Sequence, residues 1–73
     1  MNEFGEKIES LRKDRSLTVK EVGKILGIPQ SRLNELEWGV RIPTQGQIER
    51  LEKFFEVGRG ELAALESSPG KDD

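Results

Sequence analysis

A chain of 73 residues allows one domain at most, because at this length only about 60% of the unfolded surface is buried on folding. It has no cysteine and no histidine, which excludes disulfides and thiolate metal sites and removes the commonest metal ligand and general base, so neither an enzyme nor a cofactor is expected. Twelve basic against 14 acidic residues give a net charge of −2; with charged residues at 36% and Gly and Pro scattered singly, the composition suits a small helical domain rather than a disordered chain.

Apolar spacing and stop signals predict five helices and an all-α fold. The first runs from about Glu3 to Asp14 behind an Asn2 cap, with Phe4, Ile8 and Leu11 on one face. The second opens at Thr18-Val19-Lys20-Glu21, a capping box in which the hydroxyl and the carboxylate each satisfy an end amide. Leu17 and Val22 occupy the staple positions around it. Val22, Ile25 and Leu26 form the expected apolar stripe, and Gly27 supplies a left-handed stop. Eight residues are too few for a helix to persist alone, so tertiary packing must hold this one.

Pro29 favours an extended Ile28 and starts a third helix from about Pro29 to Trp38, closed by Gly39. The fourth begins at a second box, Thr44-Gln45-Gly46-Gln47, with Ile48, Leu51 and Phe55 inward. A short fifth helix from about Arg59 to Leu65 carries Leu62 and Leu65. The domain is expected to cover residues 1–66, with 67–73 a frayed tail. Helix, tight glycine-containing turn, helix is the sequence form of a helix-turn-helix, although any small bundle also needs capped helices and short turns.

The charge is polarised along the chain. Residues 1–11 carry −2, residues 12–41 carry +3, and residues 42–73 carry −3. A local basic stretch, rather than the whole-chain charge, is what meets phosphate. No apolar run approaches the roughly 20 residues needed to span a bilayer, and the N-terminus lacks a signal-peptide core. A cytoplasmic protein without membrane contact is therefore expected.

Stepping about 100° per residue along the third helix, Leu33 and Leu36 define an inward direction. Ser31, Glu35 and Trp38 then point away, with Asn34 beside them and Gln30 and Arg32 on the flanks. Gln can pair with adenine, Arg with guanine and Glu with cytosine, while Ser and Asn serve several bases. An ordinary solvated face would also be polar. Glu37 falls toward the inner side, and Arg12 flanks the stripe of the first helix; a part-buried acid needs a partner, so an Arg12–Glu37 ion pair is expected. Candidate phosphate contacts are the free amides near Thr18–Lys20 and Thr44–Gln47, with Thr18, Thr44 and Gln45 at those helix starts. Among side chains Arg41, in the loop after the third helix, is the best single clamp, ahead of Lys20 and the Trp38 indole.

The run LTVKEVGKILGIPQSRLNELEWG over residues 17–39 resembles the phage repressor/Cro type of helix-turn-helix, also called XRE-like. Val40-Arg41-Ile42-Pro43-Thr44 resembles that family's loop before its fourth helix, and Gly58-Arg59-Gly60-Glu61-Leu62 the approach to its fifth. The likeness spans about residues 4–65. It implies a compact five-helix DNA-binding domain acting as a bacterial or phage regulator, probing double-stranded operator DNA as a two-fold homodimer. By this resemblance the residues matching Gln30, Ser31 and Glu35 contact bases, and those matching Trp38, Arg41 and the start of the fourth helix lie near phosphate. The edge around Val57, Arg59 and Leu62 would carry the dimer contact. Three positions depart from the pattern. Val19 replaces a Gln that often holds a phosphate, Glu35 sets a carboxylate toward an anionic groove, and Gly46 weakens a first turn. A protein-interaction module with a degenerate DNA surface, or an autoregulating antitoxin with a toxin partner, would share the same fold.

Overall fold

The computed structural model describes residues 2–66; the segment expected as a frayed tail lies outside the described residues. Five helices follow in order, α1 (Glu3–Asp14), α2 (Val19–Leu26), α3 (Gln30–Trp38), α4 (Gln45–Phe55) and α5 (Glu61–Leu65), with no strand among the described residues.

Local chemistry sets most of the boundaries. Asn2 Oδ1 accepts from the Gly5 amide at 2.7 Å. Thr18 and Glu21 close the first capping box in both directions, at 3.0 and 2.8 Å, and Thr44 and Gln47 close the second at 3.1 and 3.0 Å. Gly27 ends α2 in the left-handed region at φ 72°, where a Cβ would be strained. Two boundaries differ from the sequence expectation. Pro29 caps α3 from outside, with ψ 141°, and does not occupy its first turn. The fifth helix starts at Glu61 instead of Arg59, because Gly60 turns the chain at φ 85° just before it.

The core comprises Phe4 and Ile8 of α1, Val22 of α2, Ile28 of the turn, Leu33 and Leu36 of α3, Ile48, Leu51 and Phe55 of α4, and Leu62 of α5. Helix α1 packs against α3, α4 and α5, while α2 bridges α3 and α4. Ile25, expected in the inner stripe, is 57% exposed, and the buried positions of α2 are Val22 and Gly23. Leu62, expected at a dimer surface, is wholly buried; five residues of helix have little else with which to anchor themselves.

Backbone proximity fixes α3 on α1. A Cβ built on Gly5 would lie 2.3 Å from the Glu37 carbonyl oxygen, so only glycine lets the two helices touch here. Beside that contact, Arg12 Nε and Nη2 donate to the two Glu37 carboxylate oxygens at 2.7 and 3.0 Å, and Nη1 donates to the Leu17 carbonyl at 2.8 Å. One arginine thus joins α1, the α1–α2 turn and α3.

Candidate nucleic-acid interface

The turn between α2 and α3 is short and tied down. The Ile28 amide donates to the Gly23 carbonyl at 2.9 Å, and the Ile28 side chain is buried. Leu33, Leu36 and Glu37 hold the inner side of α3, so its other side is presented outward as one rigid surface.

That surface carries the residues singled out from sequence. Gln30 and Ser31 are exposed in the first turn, Arg32, Asn34 and Glu35 are half-buried, and Trp38 is exposed at the C-terminal end. Two further helices, α2 and α4, have open starts. Each capping box satisfies the third amide of its helix, leaving the Val19 and Lys20 amides, and those of Gln45 and Gly46, without an acceptor among the described residues. The Thr18 and Thr44 hydroxyls accept within the boxes and keep their protons free to donate outward. Such helix starts are suited to anions. Gln45 lends its side-chain amide to Glu49 at 3.1 Å, so its backbone is the part that faces outward unengaged.

The two residues expected to serve different DNA groups, Glu35 and Arg41, are joined to each other. Arg41 Nε donates to Glu35 Oε1 at 2.5 Å. Several other cations serve the fold itself. Arg15 Nη2 donates to the Phe55 carbonyl at 3.0 Å, with its guanidinium 5.2 Å from the Phe55 ring centroid. Arg50 Nη1 donates to the Leu26 carbonyl at 2.8 Å. Both place a cation at a helix C-terminus. Hydrogen bonding from Glu37 raises the Arg12 pKa, with burial acting against it. Lys20, Lys24 and Arg32 remain as the basic groups of the α2–α3 region without an ion pair or hydrogen bond among the described residues.

Sequence reasoning did not find the roles of Arg15 and Arg50, since each closes a helix distant in the chain. Nor did it find Glu52, whose Oε2 accepts from the Leu62 and Ala63 amides at 2.9 and 3.2 Å. Gly60 brings no capping side chain to α5, and Glu52 of α4 does that work from outside. A basic residue near a helix end is the one local hint available for the arginines. Of the expected dimer residues, Val57 and Arg59 line an open groove of about 330 Å³ with Glu49, Glu52 and Lys53; Leu62 lies beneath in the core.

A helix-turn-helix family model matches residues 8–62, which is most of the chain and includes all of α2, the turn and α3. The chain belongs to the helix-turn-helix family. Its five-helix arrangement is that of the phage repressor/Cro, or XRE-like, type. This helix-turn-helix protein is accordingly a DNA-binding transcription regulator. Comparison with curated proteins and with solved structures gave no match. Among the described residues of this helix-turn-helix protein, no helix is long and apolar enough to cross a membrane, and no group of His, Cys, Asp and Glu could hold a metal ion.

Proposed function

We propose that this protein is a cytoplasmic repressor that reads a near-palindromic operator as a homodimer, with α3 of each copy in the major groove. The observation that carries the reading is the outward face of α3, a polar surface opposite Leu33, Leu36 and Glu37, in a fold whose α2 and α4 both begin with open amides. Gln30, Ser31, Arg32 and Asn34 would contact base edges, with Glu35 at the same face. Thr18, Lys20, Trp38, Arg41, Thr44 and Gln45 would lie along the phosphates. Two copies would sit about 34 Å apart, one helical turn, meeting through the groove that Val57 and Arg59 line.

A mobility shift on the DNA upstream of the protein's own gene, at two salt concentrations, tests this. Binding tighter than to a random duplex, falling steeply as salt rises because phosphate contacts release counterions, is the expected result. Binding no tighter than to random DNA overturns the reading. Sedimentation of the complex checks the second copy.

Ile25, Trp38, Val40 and Ile42 are apolar and between 53 and 70% exposed, which favours a second reading as a protein-interaction module, including an autoregulating antitoxin held by a toxin. As a module with a degenerate DNA surface it would bind DNA weakly and non-specifically in the same assay; an autoregulating antitoxin would still bind its own upstream DNA and is distinguished by a toxin encoded beside it.

A further inference from the structure

Glu35 and Arg41 are six residues apart, a spacing at which no helix would bring them together. The pair forms because Gly39 turns the chain at φ 80° after α3, folding the following loop back over the helix. Both side chains remain accessible, Arg41 at 43% and Glu35 at 37%. Arg12, Arg15 and Arg50 each also donate to a backbone carbonyl. Arg41 differs: among the described residues its side chain bonds Glu35 alone, and through Nε alone. Its two Nη groups have no partner among the described residues on a side chain 43% exposed, which leaves free a fork of the geometry that grips a phosphate through two parallel hydrogen bonds.

We propose that Glu35 reads no base and is instead a positioning residue, holding Arg41 ready to clamp a phosphate of the DNA backbone. The proposal rests on the DNA-reading function above and assigns the work of this one carboxylate within it. A long arginine loses rotamer freedom when it is fixed on a ligand, and that loss weakens binding unless the side chain is already ordered. An accessible ion pair is too weak to keep the guanidinium from DNA, so the contact orients Arg41 without sequestering it. The carboxylate's negative charge itself opposes DNA, so its benefit lies in the acceptor oxygen.

The test uses the full chain and the duplex that the unsubstituted protein selects from a random-sequence pool. Glu35→Ala, Glu35→Gln, Arg41→Ala and the Glu35→Ala/Arg41→Ala double variant are titrated against it at several salt concentrations and against every single base-pair change. Glu35→Ala is expected to weaken binding roughly three- to tenfold, alike for all sequences. Its salt slope becomes shallower, approaching Arg41→Ala, whose slope drops by about 0.9 for one lost phosphate. In the Arg41→Ala background the Glu35 change costs nothing further. Glu35→Gln keeps an acceptor without the charge and binds at least as tightly as the parent. A loss confined to one base pair makes Glu35 a base reader and overturns the proposal, as does tighter binding by Glu35→Ala, or additive losses in the double variant. If the parent selects no duplex, the DNA-reading function falls and this assignment with it. Nitrogen-15 NMR of the free protein separates the two failures. The Arg41 Nε proton should exchange slowly in the parent and in Glu35→Gln and fast in Glu35→Ala; fast exchange in a parent that does select DNA overturns the positioning role alone.

Discussion

Replacing Glu37 by alanine removes the partner of a cation whose side chain is only 12% exposed, where the carboxylate itself is 5% exposed. The Leu17 carbonyl still accepts from Nη1, but Nε and Nη2 lose both acceptors in a largely buried site. Breaking a buried pair in this way costs about 3–5 kcal/mol, most of it the penalty of the charge left behind. At 0.05–0.15 kcal/mol per residue, a 73-residue chain has roughly 4–11 kcal/mol in total, so the loss is a large share. With a domain of this size shifting about 4–8 °C per kcal/mol, Tm should fall by at least about 12 °C. Thermal melts by circular dichroism at 222 nm, checked by urea titration, measure it. The companion variant Arg12→Met/Glu37→Leu replaces both charges with apolar groups of similar length and should recover most or all of the stability. A drop below about 3 °C for Glu37→Ala, or a double variant no better than the single one, would show that the latch between α1 and α3 does not depend on this pair.

Glu52 gives an acid-sensitive contribution. Burial pushes its carboxyl up, but the amides of Gly60, Ala63 and Leu62 and the charge of Arg59 together bring it below the ordinary value. A carboxylate whose pKa is lower in the folded state stabilises above the unfolded pKa, and that contribution is lost as pH falls through the folded one. Glu52→Gln should therefore unfold at lower urea than the parent at neutral pH, with the gap closing as pH falls below the ordinary carboxylate range. Glu66 has the opposite sign. Burial raises its pKa, and Oε1 has no partner among the described residues, so Glu66→Gln should be the more stable protein at pH 7 and lose that advantage in acid. Two glycines should respond in opposite directions in thermal melts: Gly46 has open space around a built Cβ, so Gly46→Ala should gain about 0.5–1 kcal/mol, whereas Gly5→Ala should be severely destabilised by the Glu37 carbonyl. Gln30→Ala should change base preference in a selection experiment, while Arg41→Ala weakens all sequences alike; a uniform loss from both would show that Gln30 is not a reader.

The parts of the fold legible in the sequence are those fixed by neighbours in the chain. Asn2, the two Thr-led boxes, Gly27 and Gly39 mark helix ends through hydrogen bonds or torsions spanning a few residues. Angular position along α3 also separated Leu33 and Leu36 from the outward residues, and it set Glu37 on the side where Arg12 meets it. Ile25 was misread for an equally definite reason. At about 100° per residue, the buried arc of α2 is centred between Val22 and Gly23, and a glycine contributes no apolar signal to shift the stripe that way. Ser16 and Glu56 take left-handed torsions, both at φ 57°, without the glycine that usually announces them. The Glu35–Arg41 contact depends on how a loop returns over a helix, the arginine caps join helices far apart in sequence, and the Glu52 cap reaches across a turn to the next helix. Pattern within one segment cannot express those contacts.

The internal employment of the arginines has a kinetic consequence. Arg12, Arg15 and Arg50 are bonded within the fold, Arg41 stands beside a carboxylate, and the chain as a whole is negative. The field it projects toward an approaching duplex is accordingly modest, and encounters should proceed at ordinary, unsteered rates, about 10⁵–10⁷ per molar per second. A correct site would then be distinguished from a wrong one after arrival, by how long the protein stays. Changes to the α3 face should alter residence time on DNA far more than the rate of finding it.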